Sequence, residues 1–206
     1  WQDHSTAAEQ HDTAGLQHDG HNAEPGSLDG LPVDPLSAQP SPSAIIFVDA
    51  AVQDGSGLIA GLDDTADIIF LDAQRDGIQQ ISEIMAGRAN VDAIHIIAHG
   101  GAGELRLGSA TPDSAPMAGM HAGTLSAIGL SLAPDADILI YGCDFGQGAS
   151  GLEAVRQLAY LTGADIAASD NPTGHADLGG DWELEVHAGT IDATVLASPA
   201  VAAAWR

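Results

Sequence analysis

Lysine is missing from this 206-residue chain, and only five arginines stand against 29 acids, for a formal net charge of −24. Nucleic acid and anionic membrane surfaces both require a basic footprint, so neither is an expected partner. Cysteine is nearly missing too. A single one, Cys143, excludes an internal disulfide framework and any multi-cysteine metal site. Aromatic residues are 4% of the chain, and no apolar run approaches the roughly 18 residues of a membrane span. The chain opens on Trp1, with no basic segment leading into an apolar one. It therefore reads as a piece of a longer protein, with any targeting signal outside this segment.

What is present divides near residue 43. Residues 1–43 carry five of the ten prolines, seven acids and no base, and no apolar residue recurs at a helical or strand period. Such a segment buries too little surface to offset its ordering entropy, so it is expected to be a disordered linker. It holds His4, His11, His18 and His21. Imidazoles bind transition metals, but without a fixed backbone these are better read as incidental.

From residue 44, short apolar strands alternate with amphipathic helices. Strands are expected at 44–49, 67–72, 91–98, 137–141 and 165–168. A short helix or turn is expected at 58–62. Asp76 reads as a helix start, with Ile78, Ile81, Ile84 and Met85 on one face and Gly87 as the stop. A weaker helix is expected over 117–132 and a stronger one over 150–162. Leu105 to Gly108 suggests a small extra hairpin, and the alternation of Trp182 to Val186 suggests an edge strand. Asp177 and Asp181 flank Gly179-Gly180 in a tight turn before it. This order predicts an α/β domain over 44–195, with a mostly parallel central sheet, helices on both faces and a small edge hairpin. Residues 196–206 are expected to lead into a following region.

Ligands of such sheets bind beyond the carboxyl ends of the strands. Strand three ends at His99-Gly100 and strand four at Gly142-Cys143. If these strands are neighbours, their rim residues lie roughly 5–10 Å apart, from a strand spacing near 4.8 Å. A thiol and an imidazole there are the parts of a cysteine nucleophile with its base. Gly100 lets backbone amides approach a substrate carbonyl, and the Cys143 amide is a second oxyanion donor. The competing reading is a buried inert thiol and a structural histidine. No dinucleotide fingerprint or phosphate-binding loop is present, which disfavours a flavodoxin-like binding domain.

Other polar residues carry less. His95 alternates with isoleucines and reads as a packed histidine. His121, His175 and His187 have no metal-like spacing to Cys143. No metal site with assigned ligands is expected. Asp63, Asp64 and Asp67 cluster before strand two, and calcium is the one cofactor left open by composition, although no EF-hand loop exists.

The segments Ile94-His95-Ile96-Ile97-Ala98-His99-Gly100 and Ile138-Leu139-Ile140-Tyr141-Gly142-Cys143 resemble the caspase-like (clan CD) cysteine peptidases. The resemblance is closer to an uncharacterised bacterial domain related to the caspase-like CHAT peptidases. That domain occurs near the start of very large surface proteins with cadherin-like or haemolysin-type calcium-binding repeats. Ile46-Phe47-Val48-Asp49, Arg75-Asp76-Gly77-Ile78, Leu161-Thr162-Gly163-Ala164-Asp165 and Leu178 to Leu184 extend the likeness, in order, over about residues 44–190. The resemblance implies a caspase-like three-layer sandwich, with Cys143 as nucleophile, His99 as base and leaving-group acid, and the Gly100 and Cys143 amides as oxyanion hole. A third acidic residue is generally dispensable in that clan. Ser169 and Asp170 fall where members often line the P1 pocket; an aspartate there, or Asp144 beside the nucleophile, would receive a basic side chain, the alternative being a solvated loop acid.

The expectation is a cysteine endopeptidase-like domain of a large secreted or surface-anchored bacterial protein. Its substrate would be a polypeptide, its own parent chain included, and no cofactor is required. Arg75, Arg88, Arg106, Arg156 and Arg206 are the basic sites within this chain. The alternative is a catalytically silent module for folding or interaction at the head of a calcium-dependent adhesin. The acid bias, −7 in the tail and −17 in the body, suits a salty or calcium-rich extracellular setting.

Overall fold

The computed structural model describes residues 44–52, 66–111 and 119–196. The expected linker 1–43 with its four histidines, the turn at 58–62, Asp63 and Asp64, and residues 197–206 lie outside them.

Six strands form one sheet: β1 (Ala44–Val48), β2 (Asp67–Phe70), β3 (Val91–Ile97), β6 (Leu132–Tyr141), β7 (Asp165–Ala168) and β8 (Val186–Ala188). Their spatial order is β2-β1-β3-β6-β7-β8. All neighbours are parallel except β7 and β8. Between β3 and β6 a separate antiparallel hairpin joins β4 (Gly100–Gly101) to β5 (Glu104–Leu105). The α/β class with a mostly parallel sheet and a small hairpin is therefore as expected.

Side chains alternate across the sheet with the strand period of two. Ile45, Phe47, Ile94, Ile138, Ile140, Ile166 and Ala168 enter the larger core. Ile46, Val48, Ile97, Leu139, Tyr141 and Ala167 enter the smaller one. Three helices contribute to the larger core: α1 (Gly77–Met85) through Ile78, Ile81 and Met85, α2 (Ala122–Gly129) through Leu125 and Ile128, and α3 (Gly148–Thr162) through Ala154, Val155 and Leu158. The Asp76 carboxylate caps α1 by accepting from Gln79 N at 3.0 Å, as its place before the apolar stripe predicted. Among the described residues the smaller core is closed by Trp182 and Leu184 and by Ile191, Ala193, Val195 and Leu196. That last segment is held by side chains of β6. Asp137 Oδ2 accepts from Asp192 N and Ala193 N, and the Tyr141 hydroxyl accepts from Leu196 N. Backbone bonding to the sheet thus reaches Leu196.

Four elements depart most from the sequence reading. β6 begins at Leu132 rather than 137, because Val91 pairs with Leu132 before an irregularity shifts the register to Ala93–Asp137. The exposed Pro134 and Asp135 lie in that interruption and hide the early start. The same pairing shortens the weak helix to Ala122–Gly129. The edge strand is Val186–Ala188, not Trp182–Val186. Its partner β7 ends at Ala168, so residues before Val186 have no ladder to join. They nevertheless alternate, with Trp182 and Leu184 buried. The hairpin pairs Gly100-Gly101 with Glu104-Leu105, and Leu107 makes only an isolated bridge to Ala110.

His95 lies in the smaller core, 3% exposed, stacked on Tyr141 with Nδ1 3.3 Å from its hydroxyl. Burial pushes its pKa down from 6.5 to about 4. The folded state holds a neutral imidazole that the unfolded chain would protonate, so stability falls as pH drops from 6.5 towards 4. The full contribution is about 3 kcal/mol. Urea unfolding from pH 7 to pH 4 is expected to show a steeper loss for the parent chain than for His95→Leu, by about that amount.

Candidate functional site at the carboxyl rim of the sheet

The parallel ladder between β3 and β6 ends on the pair Ile97–Tyr141. His99 and Cys143 each follow two residues later, on adjacent strands at the same rim. The chain there is closely packed. A Cβ at Gly100 would lie 2.8 Å from the Cys143 carbonyl oxygen and 3.0 Å from the Gly142 carbonyl carbon, so the two strand exits touch through backbone alone. Gly142 sits under Leu105 of the hairpin in the same way, with 2.6 Å left for a Cβ. The Gly103 N–H donates to Phe145 O and ties the hairpin to the turn after Cys143.

His99 is exposed, and its Nε2 lies 3.2 Å from the Ala51 carbonyl oxygen. A carbonyl only accepts, so Nε2 carries the proton and Nδ1 the lone pair of the neutral ring. Cys143 is a free, partly exposed thiol that donates to Thr173 O at 3.7 Å. The imidazole and the thiol are thus brought to one rim, and each is turned to a backbone carbonyl rather than to the other.

Two amides are available beside them. Arg106 N donates to His99 O, which makes Gly100–Leu105 the non-hydrogen-bonded pair of the hairpin and leaves the Gly100 N–H out of the ladder. The N–H groups of Asp144, Phe145 and Gly146 donate to Asn171, Gly142 and Ser169 carbonyls. Among the described residues, the Cys143 N–H donates to no backbone carbonyl. These are the amides expected for the oxyanion hole.

Of the three expected pocket residues, Ser169 offers no surface. It is fully buried, and its hydroxyl donates to Asn171 O at 2.9 Å, fixing the turn after β7. Asp170 is exposed, with its N–H donating to Glu185 Oε2. Asp144 is held in the left-handed region at φ 58°, and its carboxylate accepts from Gln147 Nε2 at 2.9 Å. Asn171, Thr173, Gln147 and Glu185 organise this loop and were not singled out from the sequence. They obey no period and belong to no motif, so only the contact map reveals them.

The remaining candidates are committed elsewhere. His121 lies 3.7 Å from Asp76, His175 Nδ1 accepts from Asp177 N, and His187 bonds the Leu184 carbonyl. Asp67 pairs with Arg88. Among the described residues, no group of three or more His, Cys, Asp or Glu is placed to hold a metal ion. An apolar cavity of about 40 Å³ lies in the larger core, lined by Ile78, Ile81, Ile94, Leu125 and Ile138 and reaching Leu105 and Phe145 beneath the rim. It is a packing defect with no polar chemistry to offer.

The two rim glycines should respond differently to a methyl group. At Gly100 the neighbour is backbone, which has nowhere to go. At Gly142 it is the tip of a leucine, which rotates. Gly100→Ala is expected to cost about 1–3 kcal/mol in urea unfolding, and Gly142→Ala distinctly less.

Residues 45–206 match the family described as Domain of unknown function (DUF4347). No curated protein and no solved structure matches the chain. Because the match runs from the first buried residue of β1 to the end of the chain, the chain belongs to the DUF4347 family.

Proposed function

We propose that this domain is a cysteine endopeptidase with His99 and Cys143 as its dyad. The observation that carries the reading is their placement two residues beyond one registered pair, Ile97–Tyr141, with the Gly100 and Cys143 amides outside the surrounding ladders. In this reading a bound polypeptide draws the thiol away from Thr173 O, and His99 Nδ1 takes its proton. The thiolate attacks the scissile carbonyl carbon, and the developing oxyanion is received by the two amides. His99 returns the proton to the leaving amine, and water then hydrolyses the acyl-enzyme with His99 again as base.

The resemblance to caspase-like and CHAT-type peptidases supports the same assignment. It also suggests a secreted or surface-anchored bacterial parent with calcium-binding repeats, cut by this domain in itself or in another protein. A second reading, a silent module of the same fold, is favoured by one observation: the thiol hydrogen-bonds Thr173 rather than the imidazole.

Labelling with a peptidyl electrophile separates the two. The parent chain should react covalently, Cys143→Ala should not react, and His99→Ala should react at least about a hundredfold more slowly. A parent chain that fails to react in the presence and absence of calcium would leave only the silent module.

Asp144 follows the nucleophile and Asp170 follows β7, and a carboxylate from either in the P1 pocket would suit arginine or lysine. Replacing each with asparagine should lower kcat/KM for an Arg substrate about tenfold or more, relative to an Ala substrate, at whichever position lines the pocket. Equal loss on both substrates would remove these residues from the pocket.

A further inference from the structure

We propose that Asp49 is a positioning residue for His99, acting through the Ala51 carbonyl. Its catalytic meaning rests on the peptidase reading, whereas its geometry does not. Asp49 directly follows β1 and is 2% exposed. An ionised carboxylate in that position is costly unless its oxygens are satisfied. Here both accept backbone amides: Oδ1 from Ala51 N at 2.9 Å and Oδ2 from Gly108 N at 2.5 Å. Charge-assisted bonds of this kind are short and strong.

The first bond closes a turn around Ala51. Asp49 N donates to Ile97 O, and Val52 N donates to Asp49 O, so the turn is also pinned to the end of β3. Val52 is buried in the smaller core and anchors its far side. The Ala51 carbonyl is thereby aimed at His99 Nε2.

The second bond reaches the segment that holds the histidine from the other direction. Arg106 N donates to His99 O at 2.8 Å, and two residues later Gly108 N donates to Asp49. One short stretch thus ties the backbone of His99 to the residue that sets its side-chain acceptor. Gly108 can make this approach because it adopts φ 61° and passes 2.1 Å, at its would-be Cβ, from Arg75 O. The consequence is a single neutral tautomer: Nε2 protonated and facing Ala51, Nδ1 free to act as base.

The test reads the tautomer first. Nitrogen-15 spectra of the imidazoles, with the His99 signals assigned by their loss in His99→Ala, should show the Nε2–H form in the parent chain. In Asp49→Ala the two ring nitrogens should move towards the averaged values of an unconstrained histidine. Asp49→Asn keeps one acceptor and should lie between, and it stands in for the alanine variant should that fail to fold. With a peptide substrate, kcat should fall about tenfold to a hundredfold in Asp49→Ala with KM little changed, and Asp49→Asn should recover part of it. A parent chain in the Nδ1–H form, or a folded variant whose His99 spectrum matches the parent, would overturn the proposal. An inactive parent chain with the expected spectra would overturn the peptidase reading and leave the positioning role standing.

Discussion

The parallel register of β3 on β6 governs the rest of the rim. It pairs Ile97 with Tyr141, and every residue of interest is counted from that pair. A shift of one residue in β6 would turn Tyr141 out of the smaller core and carry Cys143 to the opposite side of the sheet. The register is held by apolar side chains on both faces at once: Ile94, Ile138 and Ile140 on one, Ile97, Leu139 and Tyr141 on the other. A slip would also take Asp137 from the Asp192 and Ala193 amides and Tyr141 from His95 and the Leu196 amide. The geometry of the rim is therefore a property of the core, and the rim residues themselves need contribute little to it.

That division explains the composition of the rim. Beyond Ile97 and Tyr141 the two chains stay in contact through glycine, with Gly100 against the Cys143 carbonyl and Gly142 under Leu105. Side chains larger than hydrogen would force the strands apart where they exchange loops. Close backbone contact also leaves amides near the surface without ladder partners, as at Gly100 and Cys143. The polar tips that remain, the His99 ring and the Cys143 thiol, are each steadied by a carbonyl from a neighbouring loop, Ala51 and Thr173. Loop residues near and far in sequence thus converge on a site whose frame was set elsewhere.

The legible part of the sequence follows from this arrangement. Doubly buried strands appear as apolar runs, so β1, β3, β7 and the apolar half of β6 can be read directly, and His99 and Cys143 stand out as the first polar residues beyond two of them. The α1 start was legible because Asp76 precedes a clean apolar stripe and caps it. Where polar residues interrupt pairing, the pattern fails: Pro134 and Asp135 conceal the first half of β6. Edge position is also invisible, since Trp182 and Leu184 alternate like a strand although β7 is too short to pair with them. The resemblance suggests Ser169 as a pocket residue, but only the fold shows that its hydroxyl is spent on Asn171. The acceptors Ala51 and Thr173 act through backbone oxygens, which no residue type announces.

The acid excess also takes a structural meaning. With no lysine and five arginines against 29 acids, ion pairing cannot satisfy most carboxylates. Among the described residues, Arg75 pairs with Glu83 and Arg88 with Asp67. Aspartate instead serves as an acceptor for backbone amides: Asp49 for Ala51 and Gly108, Asp72 for Gln74, Asp76 for Gln79, Asp137 for Asp192 and Ala193, Asp165 for Thr190, and Asp181 for Glu183. The short side chain reaches amides two or three residues ahead, which the longer glutamate does less well. Among the described residues glutamate fills the same role at Glu185, which accepts from Asp170 N. Several of these carboxylates bridge distant segments rather than neighbours. Asp137 fastens the segment that closes the smaller core, and Asp49 fastens the loops around His99. Asp49 and Asp137 thus make their long-range ties through backbone amides, and replacing either with alanine strands two amides in a distant segment or turn rather than one side chain.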